Sequence, residues 1–167
     1  RKGVKNNGTA KYAVESHMSD KAVKKVKRQT REMAKRIQSP ANVNEEYKAI
    51  GAYNAYVSGI HNYYCYATHI SKDIHKIALG ITRTMQNRLR ERLQKQGPPL
   101  PTYIAERYGR SKQIRYVSGQ AVIPIGYVQT KAPLYKRREV NQYTEQGRRS
   151  IHKNLESINM SILHYLM

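Results

Sequence analysis

The sequence predicts a mainly α protein: a three-helix bundle over residues 19–97, preceded by a β-hairpin and followed by a small α+β basic module. Three observations carry this. Apolar residues recur at alternating steps of three and four in three successive stretches, each bounded by capping and stop residues. The links between those stretches are short, as in a helical bundle. Past Gly97-Pro98-Pro99 the long apolar period gives way to short β-prone runs.

At the start, Lys2 to Lys5, the turn Asn6-Asn7-Gly8 and Lys11 to Glu15 read as strand, turn and strand. A two-stranded hairpin is marginal alone, and residue 1 is Arg. The expectation is therefore a fragment of a longer protein, or strands that dock on something else.

The first helix begins at Ser19 or Asp20, both good N-caps, and ends near Gln38, where Ser39-Pro40 stops it. Its apolar stripe is Val23, Val26, Thr30, Met33 and Ile37. Lys21, Lys24, Lys25, Lys27, Arg28, Arg31, Lys35 and Arg36 cover the rest. A solvated face is the usual meaning of helix charges, but so few acids offset these cations that phosphate is the better reading.

The second helix runs from about Asn44 to Tyr66, with Tyr47, Ile50, Asn54, Val57, His61 and Tyr64 as its stripe. Asn54 and His61 fall among apolar residues and need hydrogen-bond partners, at a cost of about 1–3 kcal/mol if left without them. They are expected to sit between helices as structural groups. Gly59 costs about 1 kcal/mol relative to Ala in mid-helix, which predicts close approach by another element.

The third helix starts after Ser71, with Asp73 in its first turn, where a carboxylate suits the helix dipole. Ile74, Ile77, Ile81, Met85 and Leu89 form its stripe; Arg83, Arg88, Arg90 and Arg92 form a basic face. Gly97 to Pro101 reads as a linker to the basic module of residues 98–167. There Thr102 caps a short helix ending at Gly109, and Ile114 to Val117 pairs with Ala121 to Ile125 around Ser118-Gly119. Pro124 makes the second run an edge strand. From Thr144 a further helix carries Ile151, Leu155, Ile158, Ile162, Leu163 and Leu166.

Charge narrows the function. Across 167 residues, 31 Lys+Arg face 11 Asp+Glu, a net charge of +20. Self-repulsion at that level opposes folding unless a polyanion neutralises it, and nucleic acid is the partner that gains most, through counterion release. All 14 aromatics are Tyr, fit for core packing or base stacking. No apolar run approaches the roughly 18 residues of a membrane span. A lone Cys65 makes no internal disulfide and points to a reducing compartment.

Catalytic machinery is missing from the pattern. The two aspartates, Asp20 and Asp73, each open a predicted helix, whereas two-metal phosphoryl transfer needs carboxylates converging on ions roughly 3.5–4 Å apart. There is no phosphate-binding Gly-rich loop, nucleophile elbow or paired-Cys motif. His61, Cys65 and His69 recur at steps of four, with His75 beyond, but His61 belongs to the packing stripe, and the expectation is no metal.

The segment Asn54-Ala55-Tyr56-Val57-Ser58-Gly59-Ile60-His61-Asn62-Tyr63-Tyr64 resembles the maturase, or X, region of group II intron-encoded reverse transcriptases. Glu15-Ser16-His17-Met18-Ser19-Asp20-Lys21-Ala22 is similar to the family's entry from palm into thumb. Ile125 to Thr130 and Tyr143-Thr144-Glu145-Gln146-Gly147-Arg148 resemble the approach to its endonuclease domain. Ile60 departs from the pattern, where many relatives carry Trp.

The resemblance implies a thumb/X bundle at 19–97, an end of palm at 1–18 and a DNA-binding region at 98–167. The implied partners are intron RNA, whose splicing the X region assists, the template–primer duplex, target DNA during retrohoming and the rest of the parent polypeptide. No membrane is implied, and the setting is a cytoplasmic ribonucleoprotein. This stretch would not be an enzyme by itself. The parent would be an RNA-directed DNA polymerase, with Mg2+ only in its palm and no cofactor here. Phosphate contacts are assigned to Lys24, Lys25, Lys27, Arg28, Arg31, Lys35, Arg36, Arg83, Arg88, Arg90 and Arg92, and stacking to Tyr63. Asn54, Gly59, His61, Asn62 and Tyr64 form the structural motif. DNA contacts fall to Arg107, Arg110, Lys112, Arg115, Lys131, Lys136, Arg137 and Arg138. The alternative is a ribosomal-protein-like RNA binder, with a recombinase DNA-binding module behind it.

Overall fold

The computed structural model describes residues 2–4, 10–12 and 15–131, together with residues 145 and 149. The chain forms two compact units, Arg1–Lys131 and Ala132–Met167. In the second, helical Glu145 and Arg149 pair at 2.7 Å across one turn. The rest of the helix expected from Thr144, and Lys136, Arg137 and Arg138, lie outside the described residues.

The first unit opens with an antiparallel pair, β1 (Lys2–Val4) and β2 (Ala10–Tyr12), in the register Lys2↔Tyr12. The second strand ends before the expected Glu15. Residues 15–19 instead run irregularly into the first helix, and Ser16 pairs with Thr68 and His69 through its backbone and hydroxyl.

Helix α1 spans Asp20–Gln38, with the Ser19 hydroxyl accepting from the Ala22 N–H at 3.2 Å. Val26, Ala34 and Ile37 are buried, as is Thr30, whose hydroxyl donates to the Val26 carbonyl at 2.7 Å. Helix α2 spans Val43–Tyr64 and is capped by Asn42, slightly ahead of the expected start. Its buried face runs through Glu46, Ile50, Tyr53, Val57, Ile60 and His61. Tyr47, expected inside, is exposed: the buried position beside it goes to Glu46, which pairs with Arg92 and accepts from Ser118 Oγ at 3.0 Å. Gly59 is exposed and nothing approaches it, contrary to expectation.

Helix α3 spans Ile70–Arg88 and buries Ile74, Ile77, Ile81 and Met85, with Leu89 buried just beyond. It stops well short of Gly97. The chain turns at Leu89, and Arg92 Nη1 donates to the carbonyls of Ile37 at 3.0 Å and Gln38 at 3.1 Å, closing the C-terminus of α1.

Residues 94–101 do not form a free linker. Gln94 exchanges two backbone hydrogen bonds with Tyr116, and Gly97 lies so close to the Tyr116 ring that a Cβ would overlap it. Helix α4 (Thr102–Tyr108) has Pro101, rather than Thr102, at its N-cap. Strands β3 (Arg115–Val117) and β4 (Gln120–Val122) pair antiparallel across Ser118 and Gly119. Both turn residues have positive φ, 49° and 78°, which gives a two-residue turn of the hand that matches strand twist. Strand β4 ends before Pro124, short of the expected Ile125.

Ile104, Tyr108, Ile114, Val117, Ile123 and Ile125 belong to the same apolar core as the three helices. The boundary between compact units therefore falls after Lys131, not at residue 97. No helix among the described residues is long and apolar enough to cross a membrane.

Candidate nucleic-acid interface

Helix α1 buries one stripe and leaves its cations outside. Lys24, Lys25, Arg28, Arg31, Lys35 and Arg36 are exposed, and Lys27 is half-buried. Only Asp20 and Glu32 offset them on the helix, the latter 4.0 Å from Arg28. The Arg31 guanidinium lies over Gly80 of α3, 3.6 Å from where a Cβ would sit. Arg83 of α3 is exposed, as is Arg90 beyond its end.

Of the other two arginines of the expected set, Arg88 is exposed and Arg92 is partly buried. Arg88 Nη1 donates to Gln38 Oε1 at 2.9 Å, and Arg92 serves the carbonyl ends of α1 and the Glu46 carboxylate together. Arg92 is a structural brace.

Asn54 and His61 attach α2 to the hairpin segment, not to another helix of the bundle. Asn54 Nδ2 donates to the Ala121 carbonyl at 2.7 Å, and its Oδ1 accepts from the Ile123 N–H at 2.9 Å. One side-chain amide thus presents to the strand edge the donor and acceptor that a neighbouring strand would. His61 is fully buried, with Nε2 2.9 Å from the Ile125 carbonyl and Nδ1 2.9 Å from the Tyr108 hydroxyl. A carbonyl only accepts, so Nε2 carries the proton and Nδ1 accepts from Tyr108. Burial pulls the imidazole down to about 4, outweighing the Ile125 hydrogen bond that favours the charged form; the Arg107 charge adds to the lowering.

Comparison with protein-family models, curated proteins and solved structures gives no match for the chain.

Tyr63 is 79% exposed, edge-on to Tyr64 at 4.8 Å between centroids. Tyr47 and Tyr103 are the other exposed large aromatics among the described residues. Of the expected DNA contacts, Arg110, Lys112 and Lys131 are exposed. Arg107 bonds to Asn62 Oδ1 and stacks on Tyr108 at 5.5 Å, while Arg115 donates to the Ile114 carbonyl at 2.7 Å. Both are partly committed internally.

The His61–Cys65–His69 series does not converge as a site. Both His61 nitrogens are engaged, and Cys65 Sγ donates to the Asn62 carbonyl at 3.1 Å. His69 instead joins Glu15 and His17, a grouping that spacing hid because His69 lies more than fifty positions from the other two. The nearest sequence signal was a pair of histidines, one just ahead of the first helix and one just past the second.

Proposed function

We propose that this chain is a nucleic-acid-binding unit of the group II intron maturase kind, and that its thumb/X bundle holds structured intron RNA through the cationic face of α1 and the adjoining part of α3. The observation that carries the reading is the division of α1 into one buried stripe and a nearly unopposed cationic surface. Such a surface gains free energy by releasing the counterions condensed on a phosphate backbone. The similarity of residues 54–64 to the maturase helix supports the specific assignment. In the structure that segment fastens the hairpin to the bundle through Asn54 and His61, which gives it a scaffold role. The template–primer duplex and target DNA are further partners of the same kind. Exposed Tyr63 is the candidate for stacking on an unpaired base.

The test is fluorescence anisotropy of the purified chain with a folded group II intron RNA, an unrelated structured RNA of equal length and duplex DNA. The maturase reading expects the intron RNA to bind tightest and its self-splicing to gain in yield at low Mg2+. Equal affinity for all RNAs with no effect on splicing would favour a general ribonucleoprotein component.

A further inference from the structure

We propose that Glu15, His17 and His69 form a binding site for one divalent transition-metal ion, with Zn2+ the expected occupant. The coordinating atoms of the three side chains lie within 4.8 Å of one another. Glu15 Oε1 is 3.2 Å from His69 Nε2, and Oε2 is 4.0 Å from His17 Nε2. Zinc bonds of about 2.0–2.2 Å set tetrahedral nitrogen and oxygen ligands about 3.3–3.6 Å apart, so the three side chains close on the ion by rotating about their own torsions.

Two further features mark a built arrangement rather than a chance meeting. Asp73, almost fully buried, accepts from the Met18 N–H at 2.8 Å and faces His17 Nδ1 at 3.3 Å. A carboxylate behind one ring nitrogen puts the proton there and leaves Nε2, on the Glu15 side, with its lone pair. The backbone also holds the two ligand-bearing segments in register. The His69 N–H donates to the Ser16 carbonyl at 3.2 Å, and the Thr68 N–H to the Ser16 hydroxyl at 3.0 Å.

The imidazole rings stack at 4.7 Å between centroids and only 8° apart, so one ring turns out of the stack for both lone pairs to meet one ion. Two nitrogens and one carboxylate suit Zn2+, whereas Mg2+ and Ca2+ favour oxygen ligands alone. With three protein ligands, the fourth position is taken by water, and His17, 48% exposed, leaves a path for it. The bound ion would cross-link the segment entering α1 to the start of α3.

The test uses the full chain, stripped with chelator and titrated with ZnCl2 by calorimetry, with visible absorption of added Co2+ as a second readout. One ion per chain is expected, and excess Mg2+ should not displace it. His17→Ala and His69→Ala should each weaken binding by about 100-fold or more, and Asp73→Asn by roughly 10–100-fold; His75→Ala should change nothing. Proton–nitrogen NMR of the wild-type chain decides without any variant: Zn2+ should shift the His17 and His69 rings and leave the His61 ring in place. Lack of saturable binding, or shifts confined to other histidines, would overturn the proposal. None of these readouts involves RNA, so their outcome is independent of the proposed function.

Discussion

His61 donates its Nε2 proton to the carbonyl of Ile125 at 2.9 Å from a fully buried position on α2. The bond joins the helix to the end of the hairpin segment. A charged imidazole would keep this bond, but it would lose the Nδ1 lone pair that accepts from Tyr108 and would set a charge in a buried site. That burial makes the site sensitive to acid.

Stability should fall as pH drops below neutrality. The folded-state imidazole is held down to about 4 against an ordinary 6.5. Above 6.5 neither state takes the proton; between 6.5 and 4 the unfolded chain takes it and the folded chain does not. Stability is therefore full above pH 6.5 and is lost as pH falls toward 4. At about 1.4 kcal/mol per unit, the loss from about pH 7 to about pH 5 is about 2 kcal/mol. Urea unfolding at the two pH values measures it, and His61→Gln should flatten the slope. An equal slope in wild type and variant would remove His61 as the cause.

Asn54 should matter to stability and not to RNA contact. Asn54→Ala leaves the Ile123 N–H and the Ala121 carbonyl without their partner, a loss of about 1–3 kcal/mol. Asn54→Asp keeps an acceptor for Ile123 but turns an oxygen toward the Ala121 carbonyl, so it should not restore the wild-type midpoint. Anisotropy on samples that remain folded should show affinity close to that of wild type. A large affinity loss at unchanged stability would move Asn54 into the binding surface.

Much of the bundle was legible because helix signals are local. Ser19, Pro40 and the three–four stripes of α1 and α3 place those helices with little outside help. The polar positions Asn54 and His61 announced that partners existed but not which ones, since Ala121 and Ile125 lie over sixty residues away. Long-range pairing also explains the misplaced end of α3. Nothing near Leu89 in sequence stops a helix; Arg92 does so by reaching the carbonyl end of α1 and buried Glu46. The Glu15–His17–His69 grouping was hidden for the same reason.

Two glycines should respond in opposite ways. Gly97→Ala drives a methyl into the Tyr116 ring and should cost about 1–3 kcal/mol through overpacking. Gly59 has nothing near it in mid-helix, so Gly59→Ala should gain up to about 1 kcal/mol. Thermal melts of the pair check this, and a destabilised Gly59→Ala would mean that another element does pack there.

Arg92 and Arg31 carry the same charge but should separate cleanly. Removing the Arg92 guanidinium leaves the buried Glu46 carboxylate with the Ser118 hydroxyl alone, so Arg92→Ala should cost up to about 3 kcal/mol. Solvent at the partly exposed Arg92 reduces the loss below that of a fully buried pair. Arg92→Lys should recover little, because an ammonium lacks the fork that serves two carbonyls and a carboxylate. Arg31→Ala should leave the melting point almost unchanged and weaken RNA binding. Comparing melting and anisotropy for both variants tests the division, and equal RNA losses at equal stability would refute it.

The exposed cations of α1 decide whether the cationic face is an interface or only a solvated surface. Phosphate contacts release counterions, so log affinity should fall linearly with log salt, and each lost contact should flatten the slope by about 0.7–0.9. Lys24, Arg28 and Arg31 are exposed and take no part in the braces that hold the fold, so a triple alanine variant should remain folded while losing about 2–3 units of slope. Phosphate contacts position without reading sequence, so intron RNA and unrelated RNA should lose affinity to a similar degree. Base discrimination would then rest on groups such as Tyr63, and Tyr63→Ala should narrow the gap between the two RNAs without altering the slope. An unchanged slope in the triple variant would leave α1 as a solvated face, and the thumb-like role proposed for it would fail.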